Sequence, residues 1–347
     1  MYRRRFFGST GLALLAFMFA APIAKASPFR HSKQRKPKRL PEGATIGLIA
    51  PASPVSEEKI EKALSNLSAL GFRVKEGASL RARLGYLAGT DAARLADLHQ
   101  AFADPEVDAV WCVRGGYGTT RLLPQIDYKL IGKHAKPFIG YSDVTALHIA
   151  IGQRTGLTTF HGPVGASDFP EDTLRHFRAA LMQVSDRHVI SAPENPEMLP
   201  GEEYLPFTIT PGLARGPLTG GNLSLLAALA GTPYAPVFRR RIVFIEEVGE
   251  QPYRVDRLLT QLLQATDLSQ AAGIVLGVFA DCAPKNADFS FLLPETLRDR
   301  LGQLGIPVMY GLPFGHVAHQ ATFPYGIEAE LDAEKRSLTF LESGVEA

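Results

Sequence analysis

The sequence predicts an α/β protein with an N-terminal doubly wound parallel-sheet domain and a smaller β-rich α/β C-terminal domain. From residue 44 onward, short apolar runs alternate with amphipathic helical patterns. Several of these runs contain almost no polar residue, which is typical of parallel strands covered on both faces. The chain has 347 residues, of which 46% are hydrophobic and 21% charged, so it is long enough for two domains with buried cores.

The predicted N-terminal domain covers residues 42–185. Its strand-like runs lie at residues 44–50, 72–76, 107–113, 138–141 and 157–160. A first helix is predicted to begin near Ser56, a second is capped by Thr90 or Asp91, and a third covers residues 144–151. This regular alternation of strand and helix predicts an open parallel sheet.

A proline-rich segment separates the two predicted domains. Residues 186–211 contain five prolines and no hydrophobic period, so they are predicted to be an interdomain linker. The C-terminal domain then covers residues 212–347. Its predicted elements are a short helix that follows Asn222 and ends at Gly231, strands at 242–246 and 273–279, an amphipathic helix around 255–263, and a closing hairpin at 327–331 and 337–342.

The charge is distributed unevenly along the chain. Residues 1–40 hold ten basic residues and no acidic one, so the remaining 27 basic residues face 35 acidic ones, a net charge of −8. An acidic body disfavours nucleic acid as a partner. Two cysteines, Cys112 and Cys282, are too few for a disulfide scaffold or a four-ligand zinc site, and they are predicted to be buried thiols.

The head of the chain has the pattern of an export signal. In residues 1–26, Arg3, Arg4 and Arg5 precede an apolar run and a small-residue cleavage site. The arginines followed by two phenylalanines resemble a twin-arginine signal, which predicts a periplasmic location and no stable membrane anchor after cleavage. A general secretory signal and an uncleaved anchor are the alternatives. The basic residues 27–41 are predicted to be a solvated linker.

A serine lies between a predicted strand and the helix that follows it. In FIGYSDV (138–144), a sharp turn would project Ser142 above the sheet, near free backbone N–H groups of the helix. Such groups stabilise an oxyanion. The G-x-S-x-G pattern is incomplete, because Val144 stands where the second glycine would be. The alternative is that Ser142 or Asp143 caps the helix.

A glycine-rich segment follows another buried strand. Arg114-Gly115-Gly116-Tyr117 stands at the carboxyl end of that strand, where open parallel sheets bind ligands. Glycines there allow a ligand to approach the backbone closely. The spacing does not fit a dinucleotide fingerprint, and no phosphate-loop lysine follows. A glycine-rich turn without function is the alternative.

A possible base and acid come from the predicted C-terminal domain. His316 lies in a loop rich in glycine and proline, and Glu246 and Glu247 end an apolar strand. A carboxylate can orient a histidine and stabilise its charge. The alternative is that His316 is an ordinary loop histidine and that Glu246 and Glu247 are solvated charges at the end of a strand, without a catalytic role. His161 is a rival base, whereas His148 lies within a helix and is predicted to be packed.

Seven segments together resemble a known family. They are GLIAPASP (47–54), VRGGYG (113–118), FIGYSD (138–143), FHGP (160–163), GPLTGGNLSLL (216–226), FIEEVGEQPYRVDR (244–257) and GLPFGH (311–316). In this order they resemble the serine LD-carboxypeptidases of bacterial cell-wall recycling, a family that includes microcin C immunity peptidases. The resemblance covers essentially all of residues 43–330.

The resemblance implies a Ser–Glu–His triad, with the nucleophile in the N-terminal domain. Matching the motifs makes Ser142 the nucleophile, Glu246 the acid and His316 the base, with Glu247 as the alternative acid. The implied oxyanion donors are the backbone N–H groups of Asp143 and of one glycine of the 115–116 pair. No metal and no cofactor are implied.

The resemblance also implies a substrate. The family removes the terminal D-Ala of a murein tetrapeptide, so a peptidoglycan-derived peptide is the expected partner. Its terminal carboxylate should face a cation, and Arg114 or Arg254 is the candidate, with Tyr117 as a further substrate-binding residue. A peptide-antibiotic conjugate is the alternative substrate, and a non-catalytic muropeptide-binding protein is the alternative function. Family members are often homodimers, and those that recycle tetrapeptide work in the cytoplasm, unlike an exported chain.

Overall fold

The computed structural model describes residues 34–193 and 204–347, which form two α/β units, each built on its own sheet. The predicted export signal, residues 1–26, lies outside the described residues. The first unit follows the predicted N-terminal domain, and the second contains most of the remaining chain. The predicted fold class is confirmed.

The N-terminal sheet has six strands, and five of them are parallel. The strands are β1 (Thr45–Ile49), β2 (Arg73–Glu76), β3 (Ala109–Cys112), β4 (Phe138–Gly140), β5 (Phe160–His161) and β12 (Phe323–Pro324). Their order is β12-β5-β4-β3-β1-β2, with β12 antiparallel at one edge. The chain therefore winds outward in both directions from the β1–β3 pair, and ligands bind at the carboxyl ends of strands in such sheets.

Five helices accompany this sheet. They are α1 (Glu57–Ala69), α2 (Asp91–Ala103), α3 (Tyr128–Lys133), α4 (Thr145–Thr155) and α5 (Glu171–Leu181). Ser56 caps α1 by accepting a hydrogen bond from the backbone N–H of Lys59, as predicted. Thr90 rather than Asp91 caps α2, since its hydroxyl accepts from the backbone N–H of Ala93 at 3.1 Å.

The C-terminal sheet is mixed and has eight strands. They are β6 (His188–Ser191), β7 (Phe207–Thr210), β8 (Leu213–Asn222), β9 (Ile242–Val248), β10 (Gly273–Ala280), β11 (Val308–Gly315), β13 (Glu328–Asp332) and β14 (Ser337–Phe340). The order is β6-β14-β13-β8-β9-β10-β11-β7, and the central strands β8 to β11 are parallel. Three helices accompany it: α6 (Leu223–Leu229), α7 (Pro252–Ala265) and α8 (Leu293–Leu301). Strands β13 and β14 form the predicted closing hairpin.

The predicted interdomain linker differs from the structure at both of its ends. Within residues 186–211, β6 and β7 are the two edge strands of the C-terminal sheet. Pro206 and Pro211 flank β7. Proline is tolerated beside edge strands because one side of such a strand needs no donor, so the prolines did not exclude strands here. Residues 194–203 lie outside the described residues.

The predicted solvated linker also differs from the structure over its last residues. Leu40 is 1% exposed, and its backbone N–H donates to the carbonyl of Leu181 at 2.8 Å. Arg39 donates its backbone N–H to Glu346, and Lys36 pairs with Glu342 at 2.6 Å. The segment therefore lies between the end of α5 and the end of the chain. Its apolar residue Leu40 is buried against the protein, whereas its basic side chains point to solvent or to acidic residues such as Glu342.

The two units pack against each other where α4 begins and β8 ends. The backbone N–H of Asn222 donates to the hydroxyl of Thr145 at 3.0 Å. The hydroxyl of Tyr325 donates to the carbonyl of Gly220 at 2.9 Å. Strand β12 adds to this contact, because it comes from the C-terminal part of the chain and pairs with β5. Side chains at the carboxyl end of β4 therefore lie close to the second unit.

Candidate active site

Ser142 lies on a strained turn between β4 and α4. Its φ is +65°, in the left-handed region, and it begins a short 3₁₀ turn, Ser142–Val144. A residue with a Cβ pays about 1–3 kcal/mol for such a backbone, and strain of this kind concentrates at functional sites. The predicted sharp strand-to-helix turn is therefore present, although Val144 replaces the second glycine of the elbow pattern.

The helix-capping alternative for this serine does not agree with the contacts. Neither the 3₁₀ turn nor α4 has a side-chain cap. Asp143 is buried, and its carboxylate accepts a hydrogen bond from the backbone N–H of Thr119 at 2.9 Å, while its carbonyl accepts from the Thr119 hydroxyl at 2.6 Å. Burial raises the pKa of Asp143, and the bonds from Thr119 oppose that rise. Asp143 thus ties the serine turn to the glycine-rich segment.

The two glycines of that segment lie against different neighbours. A Cβ on Gly115 would lie 2.9 Å from the Cβ of Ser142, so the backbone can approach the serine turn this closely only because Gly115 lacks a side chain. A Cβ on Gly116 would instead collide with the side chain of Ser53, and its φ of +115° also favours glycine.

His316 joins Ser142 to Glu246. Its Nε2 lies 3.1 Å from Oγ of Ser142, and its Nδ1 lies 2.8 Å from a carboxylate oxygen of Glu246. His316 follows β11 and Glu246 lies near the end of β9, so both come from the C-terminal unit. The structure brings together the three residues that the sequence motifs singled out, although they are up to 174 residues apart.

The neighbouring glutamate has a different environment. Glu247 accepts hydrogen bonds from the Asn222 side chain, from the backbone N–H and hydroxyl of Ser224, and from the backbone N–H of Val248, at 2.6–2.9 Å. Adjacent strand residues point to opposite faces, so only one of the two glutamates can face His316. Glu247 instead holds the first turn of α6.

Electrostatics around His316 favour its protonated form. Burial alone would lower the pKa of His316, but the charge and hydrogen bond of Glu246, together with the charge of Glu247, hold it above the ordinary value. The pKa of Glu247 is also raised, chiefly by burial. The imidazole is therefore a strengthened base beside a hydroxyl.

The other two histidines considered in the sequence are buried in neutral surroundings. His148 donates from Nε2 to the carbonyl of Gly140 at 2.9 Å, and burial lowers its pKa to about 3. His161 is fully buried among aromatic rings, including Tyr141 and Phe244, and burial drives its pKa well below the ordinary value. His148 is packed, as predicted. His161 packs against the ring of Tyr141, the residue that precedes Ser142.

The three candidate substrate-binding residues lie in different surroundings. Arg114 donates from Nη1 to the carbonyl of Pro54 at 2.9 Å and is half-buried beside the glycines. Tyr117 is exposed and packs edge-on against Tyr86, with ring centroids 5.5 Å apart. Arg254 is exposed and forms an ion pair with Glu250, one turn away. Of the two arginines, only Arg114 directly precedes Gly115, the glycine that lies against Ser142.

The two cysteines are isolated buried thiols. Cys112 and Cys282 are both free and buried, as predicted. Among the residues that the structure describes, no group of three or more His, Cys, Asp or Glu side chains is arranged to hold a metal ion.

Three contributors to this arrangement were missed from the sequence. Ser53 accepts a hydrogen bond from the backbone N–H of Tyr117 at 3.0 Å, and Thr119 ties down Asp143. Tyr141 packs against His316, with ring centroids 4.9 Å apart. All three stand inside or next to the family-like motifs quoted above, so their position in the sequence was the only signal that pointed to them.

The fold and this geometry are those of a two-domain α/β hydrolase of the serine type, and a serine of one domain faces a histidine of the other. Residues 46–162 match the LD-carboxypeptidase N-terminal domain, and residues 215–331 match the LD-carboxypeptidase C-terminal domain. The chain belongs to the LD-carboxypeptidase family, whose members are serine-type hydrolases.

Relatives and solved structures agree with this assignment. The chain is 42% identical to a probable murein peptide carboxypeptidase of Bacillus subtilis, over 89% of this chain and 95% of the relative. The crystal structure of a muramoyltetrapeptide carboxypeptidase from Oxalobacter formigenes matches with a TM-score of 0.72 at 31% identity, over 85% of this chain and 97% of that one. The microcin C7 self immunity protein MccF matches with a TM-score of 0.80 at 25% identity, over 90% of this chain and 100% of that one. These matches support murein peptide carboxypeptidase activity.

The same comparison contradicts the predicted periplasmic location, because the relatives and structural neighbours cited here are described as murein peptide carboxypeptidases and immunity proteins, and none of them is described as exported. The prediction rested on residues 1–26, which lie outside the described residues. Arginines before an apolar run are a compositional pattern, and composition alone does not establish that an export machinery recognises the segment. Within residues 34–193 and 204–347, no helix is long and apolar enough to cross a membrane.

Proposed function

We propose that the chain removes the terminal D-Ala from murein tetrapeptides, with Ser142 as nucleophile, His316 as general base and Glu246 as the acid that orients it. The observation that carries this proposal is the continuous line of contacts from Ser142 through His316 to Glu246, at 3.1 and 2.8 Å. Each domain holds only part of this triad, so activity requires both.

The proposed mechanism follows from the atoms in contact. The N–H at Nδ1 of His316 donates a hydrogen bond to the carboxylate of Glu246, which leaves Nε2 free to accept the proton of the Ser142 hydroxyl. Ser142 then attacks the carbonyl of the scissile peptide bond, and His316 returns the proton to the departing amine of D-Ala. Water, activated by the same imidazole, hydrolyses the acyl-enzyme.

The oxyanion is proposed to lie between the serine turn and the glycine-rich segment. The backbone N–H of Asp143 is not used by any hydrogen bond to another described residue, whereas its side chain and carbonyl are. Gly115 or Gly116 supplies the second donor, because the missing side chain of Gly115 leaves the backbone of this pair open towards Ser142. Donors fixed in this way stabilise the developing charge without reorganisation.

The terminal carboxylate of the substrate is proposed to bind Arg114. Its guanidinium uses one recorded hydrogen bond, to a backbone carbonyl, and retains donors for a carboxylate. Arg254 is the weaker candidate because Glu250 already neutralises it. Tyr117, exposed beside the same segment, is proposed to contact the peptide.

The test is hydrolysis of a defined murein tetrapeptide, read by mass spectrometry, with wild type and Ser142→Ala. The wild-type protein should release a single D-Ala. Ser142→Ala should lose about 10⁴-fold or more in kcat while its thermal unfolding stays close to wild type. Hydrolysis that survives in Ser142→Ala would exclude this serine as the nucleophile.

A peptide-antibiotic conjugate is the second candidate substrate, because the microcin C7 self immunity protein shares the fold over most of both chains. The same mass measurement separates the two, since cleavage of a peptidyl-nucleotide analogue with an intact tetrapeptide would favour the second. A muropeptide-binding protein without activity would leave both substrates intact.

A homodimer, implied by the family resemblance, is also proposed. It would appear as twice the monomer mass in analytical ultracentrifugation.

A further inference from the structure

The segment that carries His316 is held from the opposite domain. Residues 316–320, called here the histidine loop, follow β11 of the C-terminal unit. The first turn of α5, which belongs to the N-terminal unit, contacts this loop through Asp172 and Thr173. About 145 residues separate the two partners in sequence, so this contact exists only in the folded protein.

Thr173 bridges the far end of the histidine loop with a single hydroxyl. It accepts a hydrogen bond from the backbone N–H of Gln320 at 2.8 Å and donates to the carbonyl of Ala318 at 3.4 Å. Thr173 is 0% exposed and Gln320 is 4% exposed, so water does not readily replace the bond between them, whereas Ala318 lies at the surface. A buried hydroxyl that both accepts and donates restrains a loop more than a contact at the surface does.

Asp172 adds a hydrogen bond beside this bridge. Its carboxylate oxygen lies 2.7 Å from Nδ1 of His319, three residues after His316. Both side chains are partly exposed, so the pair contributes less than the buried hydroxyl does. Asp172 and Thr173 are consecutive in α5, and together they fasten two points of one short loop.

The loop continues from this anchor towards the nucleophile. The side chain of Gln320 donates to the carbonyl of Val317 at 3.0 Å. It also lies close enough to the hydroxyl of Tyr141 to oppose the rise that burial causes in the pKa of that phenol. Tyr141 precedes Ser142, and its ring lies 4.9 Å from the ring of His316. The anchor on α5 is therefore connected to both partners of the 3.1 Å Ser142–His316 contact.

We propose that Asp172 and Thr173 are positioning residues for His316, which hold the histidine loop so that the imidazole stays between Ser142 and Glu246. This inference rests on the proposed function of those three residues. His316 lies just past the end of a strand, so the β11 ladder does not fix it. A base must be held to within about 0.5 Å of its productive place.

The test compares Thr173→Val with Thr173→Ser. Valine keeps the shape and removes both hydrogen bonds, whereas serine keeps the hydroxyl. For Thr173→Val, kcat should fall about 10- to 100-fold, with a much smaller change in KM, because the base is displaced while substrate contacts remain. Thr173→Ser should retain kcat near wild type. The matched control is Glu171→Gln, an exposed residue of the same turn whose only recorded ion pair, with Arg178, is 3.7 Å long.

A second readout does not depend on activity. Titration of the His316 imidazole by NMR should show its pKa moving towards the ordinary value in Thr173→Val, because the contact with Glu246 loosens. A role of Thr173 in stability alone would lower the thermal midpoint and leave that titration unchanged. If Ser142→Ala still hydrolysed peptide, the proposed function would fail, whereas the titration would still test the loop anchor.

If Thr173→Val does not fold, Asp172→Ala tests the same loop anchor, because it removes the contact with His319 at a more exposed position. Its kcat should fall about 3- to 10-fold, since one of the two fastenings remains. The proposal is overturned if folded Thr173→Val keeps both the wild-type kcat and the wild-type pKa of His316. It is also overturned if Thr173→Ser and Thr173→Val lose the same fraction of activity. If Thr173→Val does not fold, the proposal is overturned when Asp172→Ala has the same kcat as Glu171→Gln.

Discussion

The serine side and the histidine side of the candidate active site are built in different ways. Ser142 and the glycines that face it come from the ends of two adjacent parallel strands, β3 and β4, and a left-handed φ of +65° aims the serine. Glu246 and His316 come from strands that are not adjacent, since β10 lies between β9 and β11. One side depends on a local turn, and the other depends on how three strands are aligned.

Irregularity in the intervening strand allows the histidine side to form. The pairing of β10 with β9 shifts register between Leu276 and Phe279, next to Glu246. A Cβ on Gly277 would lie 2.5 Å from the carbonyl oxygen of Phe314, and a Cβ on Gly315 would lie 3.0 Å from the Cβ of Glu246. Bulges re-aim side chains beside active sites. Because Gly277 and Gly315 have no side chains, the ends of β9 and β11 can come into contact across β10.

The largest expected effect separates the two adjacent glutamates. Glu246→Gln should reduce kcat/KM about 10³- to 10⁴-fold, because an amide beside Nδ1 can hold His316 in the wrong tautomer. The measurement is the steady-state release of D-Ala, with thermal unfolding as a check that the fold persists.

Glu247→Gln is the matched control for that substitution. It should produce no activity loss of comparable size, but it should destabilise the protein by about 1–3 kcal/mol, because an amide cannot accept all four hydrogen bonds at this buried site. Equal activity losses in the two variants would contradict the assignment of the acid to Glu246.

A smaller effect is expected from closing the gap between the strands. Gly315→Ala would place a methyl group 2.8 Å from the carbonyl oxygen of Val278, at a φ of +112°, so Glu246 and His316 must shift. We expect kcat to fall about 10- to 100-fold. Gly249→Ala is the control, since its φ is +72° but nothing lies within 4 Å, so it should cost stability alone. Wild-type kcat in Gly315→Ala would mean that the close approach is not needed.

The smallest effect is a displacement of the pH profile. The imidazole of His316 must be neutral to accept a proton, and its pKa is held above the ordinary value of 6.5. Activity should therefore fall as the pH drops through that raised pKa, and the acid limb of kcat/KM should lie above pH 6.5. In Glu246→Gln the limb should move to lower pH, because the attracting charge is lost. A wild-type limb at or below pH 6.5 would contradict the electrostatic balance described for His316.

Local signals predicted the elements that position the serine. The apolar runs before Gly115 and Ser142 became β3 and β4, and Ser56 and Thr90 became helix caps, because strand burial and capping depend on residues close in sequence. The family motifs indicated Ser142, Glu246 and His316 without showing that they meet.

Elements that depend on distant partners were predicted less well. Strands β6 and β7 fell inside the predicted linker, and Leu40 fell inside a segment predicted to be solvated. The prediction of export from residues 1–26 was wrong. In each case the prediction rested on the composition of a short segment. Composition does not reveal which distant part of the protein, or which other molecule, that segment binds.

By itself, the sequence determined the class of fold, the order of the strands and helices in the first domain, and the residue types available for catalysis. These follow from hydrophobic period, capping and motifs, which act over a few residues. Only the tertiary structure decided which glutamate faces His316, how β10 lets β9 and β11 approach, and that α5 holds the histidine loop. Those outcomes depend on strand alignment and on contacts between residues far apart in the chain, where no local preference operates.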